Sequence, residues 1–216
     1  MPPVALALCA SGSTFSVAAR HPCGRVDELV VPGRRQVTDL PSLLDRLLDT
    51  AGASPADVAE IRIDRGPGSY TGLRVALTFA RVLAGLDAVP LRTCTSLELM
   101  ALAAWRNGAC PPDRALRPIL DARRGRAYTG RVERHGGVVC LAGAPVAAPV
   151  GDLPALHGHD ETALLDPDRR AWLPAQTPVL APLPYSARDL FDAALPGEAT
   201  SAETLEPLYL MGSYAE

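Results

Sequence analysis

The stretch DRGPGSYTGLR, Asp64 to Arg74, decides how this chain is read. Three glycines and a proline follow the short strand-like run EIRID (60–64) and lead straight into VALTFARVLAGL (75–86). A glycine-rich turn between strand and helix suggests a phosphate cradle, and spacing tests the idea. A P-loop needs G-x-x-x-x-G-K-[ST], whose lysine reaches the terminal phosphates. Here Leu73 follows Gly72, and the chain has no lysine at all. The dinucleotide fingerprint needs G-x-G-x-x-G in the first strand–helix turn. Gly66, Gly68 and Gly72 are spaced one residue too widely, and three strand-like runs and a helix precede them. The reading left is a tight structural turn using the backbone freedom of Gly66, Gly68 and Gly72. Ser69 or Thr71 is available to cap the helix that follows. Gly68 is expected in a backbone region closed to other residues.

The helix expected over 72–86 is unusual in its faces. Leu73, Ala76, Leu77, Ala80, Leu83 and Ala84 form one apolar side; Val75, Phe79, Val82 and Leu86 form another. Only Arg74, Thr78 and Arg81 make a polar stripe. A helix apolar around most of its circumference is buried on more than one side. Periodicity alone admits two environments: deep burial within this chain, or one face on the chain and one on a partner. The small residues Ala76, Ala80 and Ala84 permit close helix–helix approach.

Working outward, VALALCAS (4–11) and TFSVAA (14–19) read as two strands around a tight Gly12-Ser13 hairpin, and RVDELVV (25–31) as a third. TDLPSLLDRLLDTAG places Leu40, Leu43, Leu44, Leu47 and Leu48 at helical spacing, with Thr38 or Asp39 as N-cap and Gly52 as the stop. AVPLRT (88–93) is a further strand and SLELMALAAW (96–105) a further helix. This order predicts an α/β fold in which a hairpin opens a mixed sheet and parallel strands follow, the ribonuclease-H-like pattern. NGACPPD (107–113) marks a boundary, giving an N-terminal lobe over 1–107 and a smaller C-terminal lobe over 108–216. In the second lobe, LRPILDARRGRAYTGRVER (116–134) reads as two strands joined at an Arg-Arg-Gly turn. Residues 143–186 predict short strands and long loops, and SARDLFDAAL (186–195) a late helix.

Composition narrows the function classes. The chain has 216 residues, 48% of them hydrophobic, enough for a sizeable core. A net charge of −3 is too mild to indicate bulk nucleic-acid binding. All basic residues are arginine, so any mechanism needing a lysine is excluded. Five scattered cysteines, odd in number and without a C-x-x-C pair, predict reduced thiols in a cytoplasmic protein. The N-terminus lacks a basic n-region, and its apolar run reads as a first strand. HGHDE (157–161) offers His157 and His159 beside two carboxylates, but no third ligand is nominated, and a solvated loop is expected. Neither a G-x-S-x-G elbow nor H-E-x-x-H is present. The arginines of LDARRGR (120–126) form a basic turn; an anion or RNA-backbone contact is its minority reading.

Taken together, GPGSYTGLRVALTFARVLAGL (66–86) closely resembles the signature of the TsaB (YeaZ) family of bacterial tRNA threonylcarbamoyladenosine biosynthesis proteins, also described as glycoprotease-like. The opening hairpin, the leucine helix 40–51, VPLRTCTSLELMA, ILDARRGRAY and the terminal LEPLYL fall in the family's order. The resemblance implies an actin/Hsp70/sugar-kinase-like (ASKHA) fold of two ribonuclease-H-like lobes, the second reduced. It implies a non-catalytic scaffold or activator for the TsaD-type transferase, working with a TsaE-type ATPase and meeting tRNA only through the complex. The second apolar face of helix 72–86 is expected to make the isolated protein a homodimer. The expected partner interface comprises Leu40, Leu44, Leu47, Val75, Phe79, Val82 and Leu86. No catalytic, metal or cofactor-binding residue is expected in this chain alone, with ADP or ATP admitted only at the complex interface. The alternative is an independent enzyme on the same fold, a peptidase or kinase. Three positions depart from the family: Cys9, Ala10 and Ser11 stand where members commonly read Asp-Thr-Ser, Gln36 where a histidine is common, and Arg126 where a glutamate is common. A neutral thiol is no oxygen ligand for magnesium, which weakens a nucleotide–metal reading.

Overall fold

A computed structural model describes residues 3–32 and 40–210. Gln36, Thr38 and Asp39 lie outside the described residues, as does the side chain of Leu86. The chain forms two units: residues up to Ser96 with Ser186–Leu208, and Leu97–Tyr185 with the residues from Tyr209 onward.

The first unit is built on a six-stranded sheet. Strands β1 (Val4–Cys9), β2 (Thr14–Arg20) and β3 (Val26–Pro32) run antiparallel, and β4 (Val58–Asp64) and β5 (Leu91–Cys94) add in parallel on the other side of β1. A short antiparallel strand, β13 (Glu198–Thr200), pairs with β5 at the edge. The expected hairpin and parallel strands are all present. Alternation along β1 separates the two faces. Leu6 and Leu8 join Ile61 and Ile63 in the core beneath helices α1 (Leu40–Ala51) and α2 (Tyr70–Asp87). Helix α1 lies over β2 and β3, and α2 over β4. Gly52, at φ +63°, ends α1 where the leucine spacing stops.

The opposite face carries Ala5, Ala7 and Cys9 in register with Arg20, Ala18 and Ser16 of β2. Residues 187–191 cover it, with the Ala187 N–H donating to Ser16 Oγ (2.8 Å). The helix expected over 186–195 is only a short 3₁₀ segment, Ala187–Phe191. The reason is hydrogen-bond competition. The Leu190 carbonyl accepts from Arg62 at 3.0 Å and is drawn toward the sheet.

In the second unit the same strand pattern recurs. Strand β6 (Ala115–Arg123) pairs antiparallel with β7 (Arg126–Thr129), which pairs with β10 (Val146–Pro149); β11 (Glu161–Leu164) and β12 (Val179–Leu180) add in parallel beyond β6. A hairpin of β8 (Val132–His135) and β9 (Val138–Leu141) also joins β6. Its order, two antiparallel neighbours on one side and parallel ones on the other, repeats that around β1. Helix α3 (Ser96–Arg106) belongs almost wholly to this unit, so the division falls before α3 and not at residue 107. The late segment returns to the first unit because it covers that unit's second sheet face. The Arg-Arg-Gly turn is confirmed, with Arg123 and Arg124 at φ +66° and +51° ahead of Gly125. No described helix is long and apolar enough to cross a membrane.

Candidate functional site

The turn after β4 is organised around a residue the sequence reading passed over. Asp64 is completely buried. Its Oδ2 accepts from the Ala10 and Ser11 amides (3.1 and 3.0 Å) and from the Cys9 thiol (3.3 Å); its Oδ1 accepts from the Gly66 amide (2.8 Å). One carboxylate thus ties the end of β1 to the start of the glycine turn. The thiol is pushed well above its usual pKa, first by burial and then by the Asp64 charge. Cys9 therefore stays protonated and donates. This pair does not fit a magnesium ion: one member is a neutral sulfur, and both oxygens of the other are already engaged.

Backbone groups of the turn are consumed in the same way. The Ser69 amide donates to Ser11 O (2.8 Å), and the Ser96 amide and hydroxyl donate to Gly66 O (2.9 Å) and Pro67 O (2.5 Å). Ser69, not Thr71, is the N-cap of α2, its side chain accepting from the Gly72 amide at 3.4 Å. The N–H groups of Gly66, Ser69 and Gly72, which a phosphate would need, point to protein acceptors.

Each glycine has its own reason. Gly66 has φ +91°. Gly68, expected at an unusual φ, is not among the positive-φ glycines; its constraint is proximity. A Cβ there would run into Ser11 O, and one on Gly72 would stand 2.6 Å from Ala10 O. The turn presses the first turn of α2 against the β1–β2 connection, which aims the helix.

Helix α2 resolves the two-faced reading in an unexpected proportion. Leu73, Ala76, Leu77, Ala80 and Ala84 are buried, and Val75, Phe79 and Leu83 are half-buried against the same core. Outward stand Tyr70, 51% exposed, and Val82, 56% exposed, with Thr71, Arg74, Thr78 and Arg81 between and beside them. Arg74 donates to the Tyr70 hydroxyl (2.9 Å) and lies over its ring. The outward stripe Tyr70–Arg74–Thr78–Val82 follows i, i+4 spacing. Tyr70 was missed as an apolar anchor because the periodic set was counted from residue 72. Three of the expected interface residues need correction. Leu40, Leu44 and Leu47 are at most 3% exposed and belong to this unit's own core, because the leucine stripe of α1 faces the sheet.

The HGHDE loop is not solvated throughout. Among the described residues, no group of three His, Cys, Asp or Glu side chains is placed to hold a metal. Glu161 is buried and accepts from Arg117 (2.5 and 2.9 Å), Arg131 (2.8 Å) and the Gly158 amide (3.1 Å). Arg131 also binds Asp160 and Glu133. His157 is enclosed with neither ring nitrogen hydrogen-bonded, and burial lowers its pKa against the opposing pull of Glu161. All five cysteines are free thiols, as expected.

The family model for tRNA N6-adenosine threonylcarbamoyltransferase, TsaD, matches residues 30–167, well over half of the chain. The chain belongs to that family, on its TsaB (YeaZ) branch. Over 93 residues it is 39% identical to the tRNA threonylcarbamoyladenosine biosynthesis protein TsaB of Bacillus subtilis, covering 43% of this chain and 38% of that protein. Over 96 residues it is 40% identical to the TsaB of Escherichia coli, covering 44% of this chain and 39% of that one. These matches therefore span about two fifths of each relative's length. The structure of YeaZ from Pseudomonas aeruginosa superposes with a TM-score of 0.81 at 28% identity, covering 96% of this chain and all of that one. The fold is accordingly that of YeaZ, a mixed α/β arrangement with two sheets.

Proposed function

We propose that this chain takes part in forming threonylcarbamoyladenosine on tRNA, as a non-catalytic subunit that docks a TsaD-type transferase through helix α2. The observation that carries the reading is the outward stripe of α2. Tyr70 and Val82 are large apolar side chains left in solvent beside the half-buried Val75 and Phe79, on a helix aimed by the glycine turn. Aromatic anchors with an arginine beside them are the usual energetic centres of such surfaces. The non-catalytic reading is supported by the Cys9–Asp64 pair, whose groups are spent on holding the turn. On this reading ADP or ATP binds only at the assembled interface, a TsaE-type ATPase joins the complex, tRNA is met through the complex, and the isolated chain pairs with itself through the same stripe. The test is to mix the chain with its cognate TsaD-type protein and measure complex mass by analytical ultracentrifugation, with Val82→Asp as the variant. Loss of the complex by a chain that melts normally supports the proposal. A Val82→Asp chain that still assembles fully refutes it. Magnesium-dependent turnover by the purified chain alone, abolished by a point change in it, would refute the non-catalytic role.

A further inference from the structure

The first unit carries a cluster of three arginines that partner docking does not use. Arg20 ends β2, Arg62 lies within β4 and Arg92 within β5, so the chain brings them together only through strand pairing. Register places Glu60 and Arg20 on either side of Ala5, and Arg62 directly beside Arg92. All four side chains line one open cavity of about 540 Å³, which Phe191 and Asp192 help to wall. Small residues, Ala59 and Ala193 among them, leave its interior empty.

Charge in this cavity is unbalanced: three guanidiniums face the carboxylates of Glu60 and Asp192. Asp192 already accepts the Ala194 amide at 2.8 Å. Glu60 is shared by all three arginines but satisfies only one. Arg62 Nε donates to it at 2.9 Å, whereas Arg92 Nε stands at 3.3 Å and Arg20 Nη2 at 3.7 Å. Elsewhere Arg20 reaches Phe191 O only at 3.5 Å, and Arg92 reaches Pro196 O and Gly197 O at 3.4 Å. Charge-assisted N–H···O bonds settle at about 2.7–2.9 Å, so Arg20 and Arg92 are held in place without being satisfied. These are also the more open pair, 33% and 43% exposed against 15% for Arg62. The cause is geometric. A planar carboxylate has two oxygens and cannot serve guanidiniums on three different strands, whereas a tetrahedral anion presents oxygens in three directions.

We propose that this cavity is a binding site for a phosphate group, free or as a small phosphate monoester, held by Arg20 and Arg92 with Arg62 fixing the floor. Phe191, against whose ring Arg20 lies at 4.7 Å, orients the first of these guanidiniums. Glu60 is then the restraint on affinity: it holds the arginines in position while repelling the incoming anion. The proposal stands on this cluster alone and is independent of the docking surface on α2.

The experiment is isothermal titration of the full chain with inorganic phosphate at constant ionic strength, with acetate as the planar control and AMP as the monoester. Saturable phosphate binding, with acetate roughly tenfold weaker or worse, is expected. Arg92→Gln and Arg20→Gln should each weaken phosphate binding by roughly tenfold. Glu60→Gln should strengthen it severalfold, a gain that a merely structural ion pair does not produce. Thermal melts establish that each variant is folded. Equal affinity for AMP and phosphate assigns the site to the bare anion; tighter AMP binding with the same arginine dependence assigns it to an ester. Absence of saturable phosphate binding, binding unchanged by Arg92→Gln, or acetate binding as well as phosphate overturns the proposal.

Discussion

The Cys9 thiol donates a hydrogen bond to Oδ2 of the completely buried Asp64, 3.3 Å away. The neutral sulfur lets one carboxylate collect the neighbouring amides without repulsion. Cys9→Asp would set two carboxyls against each other out of water, and one must take a proton. Holding that carboxyl protonated at neutral pH, about three pH units above where it ordinarily titrates, costs about 4 kcal/mol. Cys9→Ser keeps a donor and should stay within about 1 kcal/mol of the parent. Thermal melts of both variants, with and without magnesium, check this. Magnesium stabilising Cys9→Asp but not the parent would mean that the single change creates a metal site.

Close approach at Gly68 gives a second expectation. An added methyl meets backbone, which cannot swing aside, so Gly68→Ala should cost roughly 1–3 kcal/mol. Gly85 lies within the helix α2 that this turn launches, with open space around it and an ordinary φ. Gly85→Ala should therefore stabilise by about 0.5–1 kcal/mol through helix propensity. Opposite shifts in melting temperature for the two variants test whether proximity, not mere flexibility, requires Gly68.

Burial separates α1 from the outward stripe of α2. Leu44→Ala removes a core side chain at 3% exposure and should cost about 2–5 kcal/mol. Val82→Asp adds a charge at 56% exposure and should change the stability of the lone chain by no more than about 0.5 kcal/mol. Chemical denaturation of both variants at low protein concentration reads the difference. A Val82→Asp chain that fails to fold would place Val82 in the internal core.

The arginine–carboxylate network of the second unit predicts an acid-labile contribution. Arg131 pushes Asp160 down to about 2. Arg131 and His135 lower Glu133, and Arg117 and Arg131 lower Glu161 against the opposing effect of burial. These groups ionise more readily folded than unfolded. Their stabilisation is complete above the unfolded carboxylate range and is lost as pH falls through the depressed folded values. His157 acts at higher pH: its lowered pKa means the unfolded chain takes up the proton first, so stability drops as pH falls below about 6.5. Melting temperature measured from pH 7 to 3 should fall in both windows. Arg131→Met should flatten the lower limb and His157→Gln the upper one.

Much of the architecture was legible locally. Leucine spacing located α1, alternation located the β1–β2 hairpin, and the missing lysine together with the glycine spacing argued against a phosphate-binding turn. Those signals are readable because helix and strand periods are imposed by backbone geometry on neighbouring residues. Residues 186–195 show where local reading fails. Their pattern is helical, yet the Leu190 carbonyl is taken by Arg62 from a distant strand, and a 3₁₀ segment results. The leucines of α1 and Val82 of α2 look alike in sequence; only the position of the sheet makes the former core and leaves the latter in solvent. Asp64 carried no motif, because what distinguishes it is the set of amides that the β1–β2 connection delivers to it. Arg20, Arg62 and Arg92 were unrelated basic residues until strand pairing set them around Glu60. Periodicity is a property of neighbours along the chain, and the sequence by itself determined what depends on it; burial and charge convergence are properties of neighbours in space, and only the tertiary structure decided those.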